Sequence, residues 1–301
     1  MEGLTGHVFR RVHAACFGTL DRYYTPFLAP PRVGSAFGGR AAKEIDPANN
    51  EGLNVIPQLL TNNASEFVAA TRLLADMGYT EVNLNVGCPS GTVVAKGRGA
   101  GLLRDLDALD DLLHAIFRDT ALPVSIKTRV GLRSDEEFED VLALYCRYPL
   151  KELIIHPRVQ QDGYRGVPRQ RLYGEALARA PFPVAYNGDI FGQRDLDALC
   201  AAYPATQHVM LGRGILTNPA LARELRGGAP ATTAELKRFH DQLFAAYYDE
   251  MGGNAVFRMK EWWSYAQFFF AHPQAVHRAV RKARTVEAYQ AAVERVFQTE
   301  E

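Results

Sequence analysis

The four cysteines of this 301-residue chain, Cys16, Cys88, Cys146 and Cys200, include no close pair. That spacing speaks against a zinc ribbon, an iron–sulfur cluster and a disulfide scaffold. No run reaches 18 apolar residues, and the N-terminus lacks the basic segment and apolar core of a signal peptide. Net charge is also missing: Lys+Arg and Asp+Glu both total 34, so a polyanionic partner must be held by a local patch. No low-complexity tract and no internal repeat is visible. These absences lead us to expect a soluble, cytoplasmic protein, a monomer, with no metal and no membrane attachment. What is present is ordinary globular composition, 47% hydrophobic with 25 Gly and 16 Pro. The length suits two domains or one barrel and is ample for a full core.

Up to residue 226 the chain alternates strand and helix patterns. Runs rich in β-formers lie at 23–28, 54–59, 81–86, 122–127, 153–156, 182–186 and 208–211, with helical patterns at 66–77, 106–117, 135–146 and 194–202. That order predicts a mostly parallel sheet covered by helices. A closed (β/α)₈ TIM barrel wants eight strands, and seven are visible. Met1 leads directly into a turn and a helical run at 7–15, so the first strand is expected to be missing, through a start set too late. Around Arg226-Gly227-Gly228-Ala229-Pro230 the pattern changes to helices at 233–251, 254–270, 273–282 and 286–297. The expected domains are a barrel over 1–228 and a helical unit over 229–301.

In such a barrel, chemistry sits at the C-terminal ends of the strands. Those positions hold Gln58, then Asn85 and Cys88, then Lys127 and Arg129, then His156 and Arg158, then Asn187-Gly188-Asp189, then Gly212-Arg213-Gly214. Any one of them alone could be a loop residue capping a helix. The last two motifs, one βα unit apart, suit a phosphate: glycine permits close backbone approach and Arg213 offers a charged fork. Cys88, between Gly87 and Pro89, is either a small residue filling a turn or a thiol placed over a bound ring. Lys96 and Arg98 belong to a basic, glycine-rich loop suited to touching phosphates, and the order of Lys and Gly is wrong for a Walker loop.

The ordered set Met1-Glu2-Gly3-Leu4-Thr5, 85–90, Lys96-Gly97-Arg98-Gly99-Ala100, Lys127-Thr128-Arg129, His156-Pro157-Arg158, Asn187-Gly188-Asp189-Ile190 and Gly212-Arg213-Gly214 resembles the tRNA-dihydrouridine synthases. The resemblance implies an FMN-dependent reductase that uses NADPH to convert a tRNA D-loop uridine to dihydrouridine. It implies that Met1, Glu2 and Gly3 lie beside the flavin, that Gln58, Lys127 and His156 bond the isoalloxazine and ribityl groups, and that Asn187, Gly188, Asp189, Gly212 and Arg213 hold the phosphate. Cys88 would be the general acid, protonating C5 of the uracil as hydride reaches C6. Asn85 would lie against the uracil, Arg158 near cofactor or substrate, and Lys96 and Arg98 on the substrate side. A strand ending in Leu-Ala-Pro, usual in the family before Met-Glu-Gly, is absent here.

Beyond the barrel, Arg258, Lys260, Arg278, Arg281, Lys282 and Arg284 face a single acid, Glu261, with Trp262, Trp263 and Tyr265 interleaved. By itself this reads as a solvated face over an aromatic core, or as a basic surface for folded RNA. The segment 258–265 is similar to the helix of the family branch that modifies tRNA position 16. That similarity implies tRNA contacts by Arg258, Lys260, Tyr265, Arg281 and Tyr164, with positions 17 and 20 kept open. Two other readings stand beside this one: a flavin-dependent dehydrogenase for a small molecule such as dihydroorotate, and a non-catalytic tRNA-binding protein.

Overall fold

Eight short strands, all parallel, run through the first two-thirds of a computed structural model that describes residues 1–299. They are β1 (Tyr23–Tyr24), β2 (Val55–Ile56), β3 (Gln58–Leu59), β4 (Val82–Val86), β5 (Val124–Arg129), β6 (Leu153–His156), β7 (Val184–Tyr186) and β8 (His208–Val209). β1 pairs with β2, and β3 to β8 form one sheet in strict sequence order. Pro57 separates β2 from β3, and Pro26 ends β1, because proline brings no N–H to the ladder. The two sheets are still stitched together. Leu28 N–H donates to Gln58 O (2.8 Å), and Leu60 N–H donates to Leu28 O (2.8 Å). The expected seven runs are therefore present, the second one interrupted. The result is a TIM-barrel-like α/β fold followed by a helical region.

Among the described residues no strand pairs with the outer edge of β1 or of β8. These two edges meet through side chains at the end of the barrel where the strands begin. The buried Glu152 carboxylate accepts from Arg22 Nη1 (3.1 Å) and from the hydroxyl of Tyr24, on β1 (3.2 Å). Its other oxygen meets Nδ1 of His208, on β8, at 2.6 Å.

The connecting helices are α1 (His7–Phe17), α2 (Gly39–Ile45), α3 (Ala64–Asp76), α4 (Gly91–Val94), α5 (Leu106–Asp119), α6 (Phe138–Tyr145), α7 (Gln170–Arg179), α8 (Gln193–Ala202), α9 (Arg213–Thr217) and α10 (Leu221–Leu225). α3 and α5 start where the sequence supplies caps: Asn63 and Asp105 accept from the amides of Glu66 and Ala108. α5 turns Leu109, Leu112, Leu113 and Ile116 inward, a stripe at helical spacing. Strand periodicity sorts the barrel. Val82, Leu84 and Val86 belong to the hydrophobic core with α3 and α5, while the intervening Asn83 and Asn85 point the opposite way, into the barrel.

A second core belongs to α11 (Thr233–Met251), α12 (Ala255–Ala266), α13 (Pro273–Arg281) and α14 (Val286–Thr299). Trp262 and Trp263 are fully buried in it. Thr232 and Glu235 form a capping box at the start of α11. α1 joins this core rather than the barrel's, through Leu4, Val8 and Phe9. No helix of the described residues is long and apolar enough to cross a membrane.

Candidate active site at the strand C-termini

The inward face of the strands carries a chain of side-chain amides. Gln58 Nε2 donates to Asn83 Oδ1 (2.8 Å), and Asn83 Nδ2 donates to Ser125 Oγ (3.0 Å). Asn85 Nδ2 donates to Gln58 Oε1 (2.7 Å). Asn85 Oδ1 in turn accepts the amides of Gly87 (3.0 Å) and Cys88 (2.9 Å). Asn85 therefore spends its amide on shaping the turn that presents Cys88. Gly99 lies against that turn at φ +55, where an added Cβ would come within 2.9 Å of Cys88 Cβ.

Beside Asn85, in the register of the sheet, stands Lys127. Its ammonium has no carboxylate or other hydrogen-bond partner among the described residues. Burial first, and the charge of Arg129 second, push it down to about 8. Burial pushes the Cys88 thiol above its ordinary value, against the pull of Lys127, so at neutral pH the thiol keeps its proton. Met1 closes the same space. Its amine donates to Thr5 Oγ1, and burial together with Lys127 pushes it down to about 5. Glu2 turns outward to Arg40 (2.6 Å), and Gly3 O accepts from Arg258 Nη1.

His156 ends β6 in a crowd of cations. Burial, then Lys127, Arg129, Arg158 and Arg213, hold its imidazole far below the ordinary value, so it is neutral. Nε2 lies 3.1 Å from Arg158 Nη1 and must accept, which leaves the proton on Nδ1. Arg158 is itself buried. It donates to the Arg165 and Gly166 carbonyls (3.1 and 2.5 Å) and to Asp189 Oδ2 (2.5 Å). Asp189 also accepts from Arg213, whose guanidinium lies over the Tyr164 ring at 4.8 Å and the Phe191 ring at 5.6 Å. Asn187 Nδ2 donates to Met210 O (2.8 Å), joining the last two strand ends. A Cβ at Gly188 would sit 2.2 Å from the Tyr186 hydroxyl, so packing alone requires that glycine. At Gly212 a Cβ would meet only Met1 Sδ, at 3.8 Å.

The structure thus gathers Met1, Gln58, Asn85, Cys88, Lys127 and His156 at one mouth, with Arg158, Asn187, Asp189, Gly212, Arg213 and Tyr164 on its rim. Lys96 and Arg98 stand further out, tied to Asn62 of the neighbouring loop (3.1 and 3.3 Å). Arg258 reaches the rim through Gly3. Lys260 bonds Ala283 O instead, and Arg281 lies exposed on α13, away from the mouth. Two residues prove central to its shape, Arg129 from the strand-end set, to which the resemblance assigned no role, and Gln160, which the sequence did not single out. Buried Arg129 donates to Gly87 O (2.9 Å), Val159 O (2.9 Å) and Gly163 O (2.8 Å), and Gln160 Nε2 donates to Pro89 O (2.9 Å). Together they lock the Cys88 loop to the loop after β6. Arg129 sits two residues beyond Lys127, on the same inward face, and the strand-end pattern marks it; no such signal marks Gln160.

The chain is similar to known proteins. The profile of the family described as dihydrouridine synthase matches residues 1–301. The tRNA-dihydrouridine(16) synthase of Escherichia coli K12 is 30% identical over 255 residues, 78% of this chain and 76% of that protein. A probable tRNA-dihydrouridine synthase of Staphylococcus aureus is 28% identical over 254 residues, 82% of this chain and 76% of its own. Among solved structures, an old yellow enzyme homologue from Zymomonas mobilis superimposes with a TM-score of 0.55 at 10% identity, over 75% of this chain and 84% of that one. Morphinone reductase does so with 0.52 at 11%, over 77% and 83%. Those two likenesses speak to the barrel alone. With its whole length matched by the family profile, the chain belongs to the dihydrouridine synthase family.

Proposed function

We propose that the chain is an FMN-dependent tRNA-dihydrouridine synthase that reduces the uridine at D-loop position 16, with NADPH as electron donor. The observation that carries this reading is a protonated, half-buried thiol, Cys88, held at the mouth of a barrel lined by Gln58, Asn85, Lys127 and neutral His156. The residues present fit a flavin. A half-buried ammonium without an acceptor among the described residues, an amide pair and an Nδ1–H donor suit a ring edged with carbonyl oxygens and nitrogens. FMN, when bound, supplies hydride chemistry for the C5–C6 double bond of uracil.

The remaining work falls to the chain. Cys88 Sγ–H donates its proton to C5, and Asn85 fixes the turn from which it does so. Lys127 and the His156 Nδ1–H orient the ring and oppose negative charge on it. Arg213, Asn187 and the two glycines face the phosphate side. The basic residues of α12 and α13 favour an RNA substrate over a small molecule, which would not require them. The likeness to position-16 synthases and the segment 258–265 support the choice of uridine. Mass spectrometry of tRNA from a deletion strain, with and without this gene, tests the proposal. Loss and restoration of dihydrouridine at position 16 supports it. Restoration at position 17 or 20 corrects the site, and no change in dihydrouridine overturns the activity.

A further inference from the structure

The outer face of α12 carries a feature that its packing does not explain. Ala255, Val256, Met259, Trp262, Trp263 and Ala266 turn inward, and the core they build is already rich in aromatic rings. On the opposite side, at helical spacing, stand Phe257, Lys260, Glu261 and Ser264, and Phe268 follows in the turn just beyond the helix. Phe257 and Phe268 are each 63% exposed.

The charges around them have one sign. The Lys260 ammonium lies over the Phe257 ring at 5.7 Å and is fixed there by Ala283 O. Burial and the nearby Arg284 both push that ammonium down, so Arg284 belongs to the same patch. Arg281 and Lys282 are exposed beside it. The single acid, Glu261, is neutralised by Arg258 at 2.7 Å. A positive surface selects a polyanion, and exposed rings select bases whose faces are free, which a duplex hides in its stack. The turn holding Phe268 packs against α9, which begins at Arg213 of the rim.

We infer that Phe257 and Phe268 form a stacking surface for unpaired bases of the RNA substrate, with Lys260 and its basic neighbours holding the adjoining phosphates. The inference rests on the tRNA reading above and adds the part of the RNA that this face takes: single-stranded loop nucleotides.

The test measures binding of the full-length protein to an unmodified tRNA transcript and to a blunt RNA duplex across a salt series. It compares the wild type with Phe257→Ala, Phe268→Ala, the double variant and Phe257→Tyr, each checked for folding by thermal melting. Each alanine should weaken tRNA binding about fivefold or more, as loss of base stacking does, and the double variant further. The salt slope and the duplex affinity should stay unchanged, since a phenyl ring neutralises no phosphate, and Phe257→Tyr should bind as the wild type does. A double variant within twofold of wild type overturns the inference. So does an equal loss on tRNA and duplex, or a change in oligomeric state by sedimentation, which would assign the face to a second copy of the chain. Wild-type protein that binds no tRNA overturns the synthase reading itself, and the inference with it.

Discussion

Cys88 is a poor nucleophile and a well-kept acid. Its thiol is raised by burial, and the residues around it hold the turn rather than take the proton. If it donates to C5, Cys88→Ala should fold, retain flavin and be reduced by NADPH at a near-normal rate. The tRNA-dependent oxidation of the reduced enzyme should then slow by about 10²–10⁴-fold, the usual range for a general acid. Serine should restore little, because its hydroxyl is a far weaker acid. Anaerobic rapid mixing at the flavin band separates the two half-reactions, and tenfold slowing or less would remove Cys88 from the role. The pH profile carries the same sign. With the thiol raised, loss of its proton should begin only above the ordinary thiol value of about 8.5, so a decline in the tRNA step that sets in near 8 reports loss of the Lys127 charge instead.

His13 makes a stability prediction. Burial pushes its imidazole down to about 4, and Nε2 lies 2.8 Å from Pro219 O, so the neutral ring donates there. A folded value below the unfolded one of about 6.5 means that the unfolded chain binds the proton first as pH falls. The contribution is complete above pH 6.5 and is lost between 6.5 and about 4, on the order of 3 kcal/mol. Denaturant melts at stepped pH should show that slope, and His13→Gln should flatten it.

At the scale of elements, two loops depend on one guanidinium. Arg129 leaves the end of β5 and satisfies carbonyls in the loop after β4 and at two points in the loop after β6. Arg129→Met keeps the bulk and removes all three donors, leaving buried carbonyls unmet at a cost of about 3 kcal/mol or more. Arg129→Lys should rescue poorly, since one ammonium cannot span a fork of three acceptors. Both should also slow the tRNA half-reaction, because the Cys88 turn is anchored at Gly87. Chemical denaturation and the single-turnover rate read the two effects separately. A melt unchanged within 1 kcal/mol would show that water replaces the guanidinium.

For the whole molecule, 34 basic and 34 acidic residues cancel, yet they are not mixed evenly. α12 and α13 carry Arg258, Lys260, Arg278 and Arg281 against the single acid Glu261, so the balancing acids lie on other elements. Replacing Arg258, Lys260 and Arg281 together should weaken tRNA binding and flatten its salt dependence. Each lost phosphate contact takes roughly 0.7–0.9 from the slope. Arg258 already serves Gly3 O and Glu261, so the change should fall short of three full contacts, at about 1–2. Filter binding over a salt series measures it. An unchanged slope would mean that these charges only meet solvent.

Local pattern was enough to find the strands, the helices and the residues at the strand ends. Alternation along 82–86 separates Asn83 and Asn85 from Val82, Leu84 and Val86, and β5 repeats the rule with Lys127 and Arg129. Such patterns depend on neighbours two to four positions apart, which the sequence displays directly. Pairings between distant positions follow no such period. Nothing near Arg129 announces that it reaches Gly163, nothing near Asn85 that its amide serves Gln58 and the Cys88 turn, and nothing near Arg213 that Asp189 takes its guanidinium. Likewise α1, which the order of elements assigns to the barrel, packs on α11, because Phe9 and Phe17 on its apolar side meet Phe239 only once the chain has closed. The sequence by itself determined which side chains face the mouth of the barrel. Only the tertiary structure decided which of them are held by one another and which, like the Lys127 ammonium, have no hydrogen-bond partner among the described residues, since a hydrogen bond is set by distance in space and not along the chain.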